Sequence, residues 1–279
     1  MLPYPFDRDY MELALAAGVV VGASAPLIGT FLVQRRLSLL GDGIGHLAFA
    51  GVAFGLLVGI WPVWTALAVA VVGAVGMERL RSRGRASGDL ALALFFYSGI
   101  AAGVVLVGLS DSFNAGLLTY LFGGILTVSR QDVLLVAGLG ALIVLTVAIC
   151  GRAMFAVVLD EESARVGGLP VDGLNSLLAA LAAITVVAAM RVVGILLVAA
   201  LMVLPVATAQ LVARSFRSTL WMSAVIGAAA AVAGLAAARI WGLAPGGTIV
   251  LVAAGAFAVT SIGFRRGGAW PAGLPRVGS

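Results

Sequence analysis

Lysine is absent from this 279-residue chain, and all 17 basic residues are arginine. A Walker A loop needs its lysine to reach the β- and γ-phosphates, so the chain does not hydrolyse ATP by that route. Schiff-base catalysis is excluded for the same reason. Cysteine occurs once, at Cys150, which rules out an internal disulfide and leaves a buried apolar role as the expectation. Histidine also occurs once, at His46, and there is no HExxH pattern to support intramembrane zinc proteolysis. Charge is scarce as well: 10% of positions carry it and 62% are hydrophobic, where soluble domains carry roughly 25% charge.

Long apolar runs fill the chain instead, as in an integral membrane protein made largely of helices. Nine stretches read as candidate spans, with eight crossings as the alternative: 12–33, 39–60, 62–77, 90–109, 132–150, 173–190, 192–213, 219–238 and 246–263. A further apolar piece, AGLLTYLFGGILTV at 115–128, falls short of the roughly 20 residues a crossing takes and is expected to be re-entrant or interfacial. No basic region or A-x-A cleavage site precedes the first run, so it is expected to be kept as a span. The 37 glycines, with many alanines, predict close helix packing, because small residues let backbones approach where lipid gives no hydrophobic drive.

The arginines test this arrangement. With the N-terminus outside and the spans alternating, the cytoplasmic side receives Arg35, Arg36, Arg79, Arg81, Arg83, Arg85, Arg152, Arg165, Arg214, Arg217, Arg265, Arg266 and Arg276. Arg8, Arg130, Arg191 and Arg239 stay outside, which is the bias of the positive-inside rule. A full crossing at 115–128 would put Arg214, Arg217 and the C-terminal arginines outside, so that segment is not counted. The expected organisation is one membrane domain over residues 1–264 and a cytoplasmic tail over 265–279.

Inside the second span, RRLSLLGDGIGHLAFAGVAFG places Asp42 and His46 four residues apart. At 1.5 Å per residue they lie about 5 and 10 Å into the membrane. Ionisable groups at such depth are costly and usually face the bundle interior. The spacing sets both on one helix face, where a carboxylate oxygen and an imidazole nitrogen could share one divalent cation: zinc, manganese or iron(II). Gly41, Gly43, Gly45 and Gly51 leave room around them. The plainer alternative is that Asp42 caps the helix and His46 hydrogen-bonds a neighbouring helix. Two ligands make an incomplete site, which suits an ion that must be released.

The polar connection LDEESARVGGLPVDGLN, 159–175, mixes acids with small apolar residues before breaking at Gly167, Gly168 and Pro170. Acids in a first turn, a later arginine and a terminal Gly-Gly predict a short helix over 160–167. Either it is an ordinary solvated loop helix, or it receives force from an ATPase made elsewhere. Arg191 at the edge of the seventh span reads as an interfacial residue, Gln210 as an interhelical hydrogen-bonding residue, and Asp89 and Asn175 as caps.

Four segments together resemble the membrane permease of bacterial ABC importers for zinc, manganese and iron(II). They are FLVQRRLSLLGDGIGHLAFAGVAFGLL (31–57), TYLFGGILTVSRQDV (119–133), DEESARVGGLPV (160–171) with MRVVGILLVAALMVLPVATAQLVARS (190–215), and APGGTIVLVAAGAF (244–257). The resemblance implies an all-α permease similar in fold to the vitamin B12-type importers, acting as a homodimer in the bacterial plasma membrane. It implies two cytoplasmic ATPase subunits, an extracytoplasmic metal-binding solute-binding protein and no permanently bound cofactor. It also implies that Asp42 and His46 are the intramembrane metal pair. Asp160, Glu161, Glu162, Ser163, Ala164, Arg165, Val166 and Gly167 match the coupling position, within a loop of about 159–172. Zinc is the expected cargo on overall similarity to zinc permeases. A secondary transporter, with Asp42 carrying a proton, is the competing reading, and it leaves the 159–175 loop without a task.

Overall fold

Eleven α-helices and no strand make up the described residues of the computed structural model, which are 4–82, 84, 88–109, 115–124 and 128–266. The helices are α1 (Asp9–Gln34), α2 (Leu40–Val58), α3 (Pro62–Ser82), α4 (Gly88–Leu109), α5 (Ala115–Phe122) and α6 (Arg130–Leu159). They continue with α7 (Glu161–Val166), α8 (Val171–Ala189), α9 (Val198–Val212), α10 (Phe216–Trp241) and α11 (Pro245–Arg266). Arg83, Arg85, Arg276 and the tail from 267 onward, all placed in the cytoplasm by the sequence reading, lie outside the described residues, as do 125–127 of the short apolar segment.

Eight of these helices are long and apolar enough to cross a membrane; α9, with 15 residues, is shorter. Among the described residues of the 115–128 segment the helix is α5, of eight residues, which rises about 12 Å, too short to cross. The seventh expected span differs from its reading. Residues 190–197 are not helical, and the helix begins only at Val198. Gly194 explains the break: its φ of +91° and its approach to Leu121 and Gly123 leave no room for a Cβ, a conformation that favours glycine. Backbone out of helical hydrogen bonding inside a membrane bundle must find protein partners. It does so at the end of α5, where the Ile195 amide donates to the Tyr120 carbonyl at 2.9 Å. The Leu196 amide donates to Leu121, and the Gly124 amide to Arg191, each at 3.3 Å.

Small residues set the packing. A Cβ on Gly22 of α1 would fall 2.6 Å from the Gly227 oxygen of α10, and one on Gly29 would overlap the Met202 carbonyl of α9. Here helix backbones touch directly, which is the source of association energy available in lipid. α1, α2 and α8 are the most enclosed of the long helices, and the runs from Val21 and from Leu178 are almost wholly out of contact with the surroundings. α4, α6 and α11 turn most of their apolar surface outward. Cys150, on α6, is half-buried against the core rather than fully enclosed.

Candidate functional site

α2 carries the polar pair. Its N-cap is Leu39, which makes no side-chain cap, so Asp42 stands at the third helical position and is not the cap. Asp42 and His46 are half-buried residues in a helix otherwise enclosed at Gly41, Gly43, Ile44, Gly45, Leu47 and Ala48. They lie within electrostatic reach of each other. Among the described residues neither makes a side-chain hydrogen bond, so a structural bond from His46 to a neighbouring helix is not found. No group of three or more His, Cys, Asp or Glu that could hold a metal occurs among the described residues.

Two walls enclose it. On one side α4 packs tightly, with the Phe96 ring edge-on to His46 at 4.4 Å between centroids. Gly99 of α4 lies on the His46 backbone, and Gly43 of α2 admits the Leu92 side chain. On the other side the non-helical 190–197 stretch approaches: a Cβ on Gly45 would lie 3.3 Å from the Ile195 oxygen, and one on Gly41 would lie 3.2 Å from Ala199. The helix that carries the pair therefore leans on the one long break in the bundle's helical backbone between α8 and α9.

Two charged clusters flank the pair. At the end of the bundle near α5, Arg191 is not an exposed interfacial residue. Its guanidinium donates to Asp132 at 2.9 Å, with side chains 14% and 4% exposed respectively. It also lies over the Tyr120 ring, 5.0 Å from the centroid. Asp132 closes a capping box with Ser129 at the start of α6. The cluster joins α5, α6 and the 190–197 stretch. Its one sequence signal was S-R-Q-D, a capping box spacing, and the pairing with Arg191, 59 residues away, had none.

At the opposite, arginine-rich end, Glu161 gathers donors. Its Oε1 accepts from Arg35, from Asn175 at 3.0 Å and from Arg81 at 3.3 Å. Arg35 also donates to Asn175 Oδ1 at 2.9 Å, and Arg81 grips Glu78 with two bonds of 2.7 and 3.0 Å. Burial, with the like charge of Arg81, lowers the Arg35 pKa from its ordinary value against the pull of Glu78 and Glu161. Asn175 is thus no cap: α8 begins at Val171 and Asn175 is enclosed in its second turn. Asp89 lies in the first turn of α4. Gln210 is half-buried and makes no side-chain hydrogen bond among the described residues.

The expected short helix is α7, with Asp160 as its N-cap accepting from the Glu162 and Ser163 amides, and Gly167 as its C-cap. Ala164 is its buried contact, whereas Glu162, Ser163, Arg165, Val166 and Gly167 face outward and Glu161 turns in. Arg165 pairs with Asp172 at 2.9 Å, which raises its pKa. The Ser163 hydroxyl and amide hold the Asp160 carboxyl below its ordinary value.

Comparison with known proteins places this helix bundle among the transport proteins: the profile of the ABC 3 transport family matches residues 7–263, and the chain belongs to that family. It is 32% identical over 262 residues to the manganese transport system membrane protein MntC of Halalkalibacterium halodurans, covering 92% of this chain and 90% of that one. It is 31% identical to the manganese import system permease protein ScaB of Streptococcus gordonii, covering 91% of each. Among solved structures it resembles PsaBC from Streptococcus pneumoniae in complex with Fab, with a TM-score of 0.82, 32% identity and 91% coverage of both chains.

Proposed function

We propose that the chain is the membrane subunit of an importer that carries a divalent transition metal past Asp42 and His46. The observation that carries this reading is the contrast at α2: two metal-binding side chains share one face inside the membrane bundle. Among the described residues neither makes a side-chain hydrogen bond. A carboxylate and an imidazole are ordinary donors for manganese, iron(II) and zinc. Two ligands bind weakly enough to let go, and a two-fold copy of the chain would supply a second Asp42 and His46 to complete four. The named relatives favour manganese, while zinc rests on overall similarity to zinc permeases.

In this reading the arginine-rich end is cytoplasmic, which puts the N-terminus outside the plasma membrane. Asp160 to Gly167 receive an ATPase subunit, because the chain has no lysine for a P-loop of its own. A solute-binding protein delivers the ion at the other end. Uptake in chelator-starved cells tests the site, comparing the parent with Asp42→Ala and His46→Ala at equal membrane abundance, for manganese, zinc and iron separately. Loss of one metal's uptake in both variants is expected and names the cargo. Normal uptake in both overturns the site.

A further inference from the structure

We propose that Arg35 is a positioning residue that ties α7 to the α2 segment holding Asp42 and His46, so that a displacement of α7 reaches the pair. The inference rests on the proposed roles of α7 as the ATPase-receiving helix and of the pair as the ion site.

Glu161 is the first residue of α7 and the only one of its three acids and arginines, counting Glu162 and Arg165, that turns inward. One of its oxygens holds Arg35, Arg81 and Asn175 at once. These donors come from the end of α1, from α3 and from α8. Of them Arg35 is the enclosed cation, its side chain 7% exposed against 25% for Arg81. Arg81 keeps Glu78 if α7 withdraws. Arg35 keeps the neutral Asn175 amide and the longer-range pull of Glu78, but no carboxylate in hydrogen-bond contact. An enclosed guanidinium left without its carboxylate is strongly disfavoured, so the low-energy motions of α7 are those that carry Arg35 along.

Arg35 passes that motion on through a stiff connection. It is the C-cap of α1, and five residues, 35–39, separate α1 from α2. The turn is closed by the Arg36 amide on Val33 at 3.0 Å and the Leu37 amide on Leu32 at 2.9 Å. Arg36 itself holds φ at +59°, a left-handed conformation that a non-glycine residue adopts only when its surroundings fix it. α2 follows at Leu40, and Asp42 and His46 occupy its first two turns. The cluster is balanced, with Arg35 and Arg81 against Glu78 and Glu161. Removing Arg35 and Glu161 together therefore leaves no unpaired charge.

The balance supplies the test. The assembled transporter, with its ATPase and binding protein, is reconstituted in proteoliposomes as parent, as Arg35→Met and as the charge-balanced double variant Arg35→Met/Glu161→Gln. ATP hydrolysis, metal transported per ATP and metal bound per complex are measured for each. The expected result is retained metal binding with metal per ATP reduced by about tenfold in both variants, an ordinary size for coupling between separated sites. If Arg35→Met fails to assemble, the double variant alone carries the test. Recovery of the parent's metal-per-ATP ratio in the double variant shows a merely structural ion pair and overturns the proposal. So does loss of ATPase co-purification in the double variant, which would assign the cluster to docking. His46→Ala run alongside reads the site independently: loss of metal binding there, with binding retained in the Arg35 variants, separates failure of coupling from failure of the site.

Discussion

Gly99→Ala tests the packing of α4 on α2, the helix that carries Asp42 and His46. A Cβ at Gly99 would lie 2.9 Å from the His46 carbonyl carbon, 3.0 Å from the Leu47 nitrogen and 3.1 Å from the His46 oxygen. Carbon atoms rest no closer than about 3.5 Å, so one helix must move by about half an ångström. All three contacts are backbone and cannot rotate away. Overpacking of this kind costs about 1–3 kcal/mol. Helix preference runs the other way, alanine gaining about 0.5–1 kcal/mol over glycine.

Gly255→Ala separates the two effects. Gly255 lies inside α11, and a Cβ there meets nothing within 4 Å. Both variants share the preference for alanine, so their difference in stability is the packing cost, about 1–3 kcal/mol against Gly99→Ala. Reversible unfolding of the purified chain in mixed micelles measures it. Metal binding should weaken in the same variant. Phe96, three residues before Gly99, stands 4.4 Å from the His46 ring, and binding sites tolerate displacements of only about 0.5 Å. If Gly99→Ala matches Gly255→Ala in stability and binds metal like the parent, α4 does not set the position of His46 and the reasoning fails.

Arg191→Met leaves the enclosed Asp132 carboxylate without its counter-ion, at a cost of about 3–5 kcal/mol. Adding Asp132→Asn should restore part of that loss, and thermal unfolding of the two variants checks it. Asp160→Ala should raise amide hydrogen exchange at Glu162 and Ser163, whose N–H groups it caps. The Ser163 hydroxyl holds Asp160 below its ordinary value of 3.8. The cap is therefore full at neutral and mildly acid pH and is lost only as pH falls below that value through the lowered one. Protection of those amides that fades near neutrality would contradict the assignment.

The sequence was most legible where one residue's chemistry acts over a short range. The apolar runs placed the long helices to within a few residues, apart from α6, which continues nine residues beyond the expected 150 to Leu159. Nothing in GRAMFAVVL (151–159) stops a helix, and α6 ends only where Asp160 turns to cap α7. Arginine bias kept the 115–128 segment from being counted as a crossing. Residues 190–197 were misread because MRVVGILL is as apolar as a span, and hydropathy does not register that Gly194 takes a left-handed φ against the end of α5. Neither the place of Asn175 nor the pairing of Arg191 was legible, for a related reason. Their partners, Glu161, Arg35 and Asp132, lie 14, 140 and 59 positions away, so no local spacing announces them.

Those long-range partners also make the candidate site intelligible. Polar groups taken out of water must be paired or they destabilise the fold, and several groups elsewhere in the bundle meet that demand. Asp132 has Arg191 and the Ser129 cap, while Glu161 has three donors. Thr30, Thr185 and Thr208 each return their hydroxyl to a carbonyl four residues back. Asp42 and His46 are half-buried, and among the described residues they hold no hydrogen bond. Both side chains, on one face of α2, therefore keep their lone pairs free of hydrogen bonds among the described residues. Lone pairs left available in this way are what the proposed ion, which must bind and depart, would require.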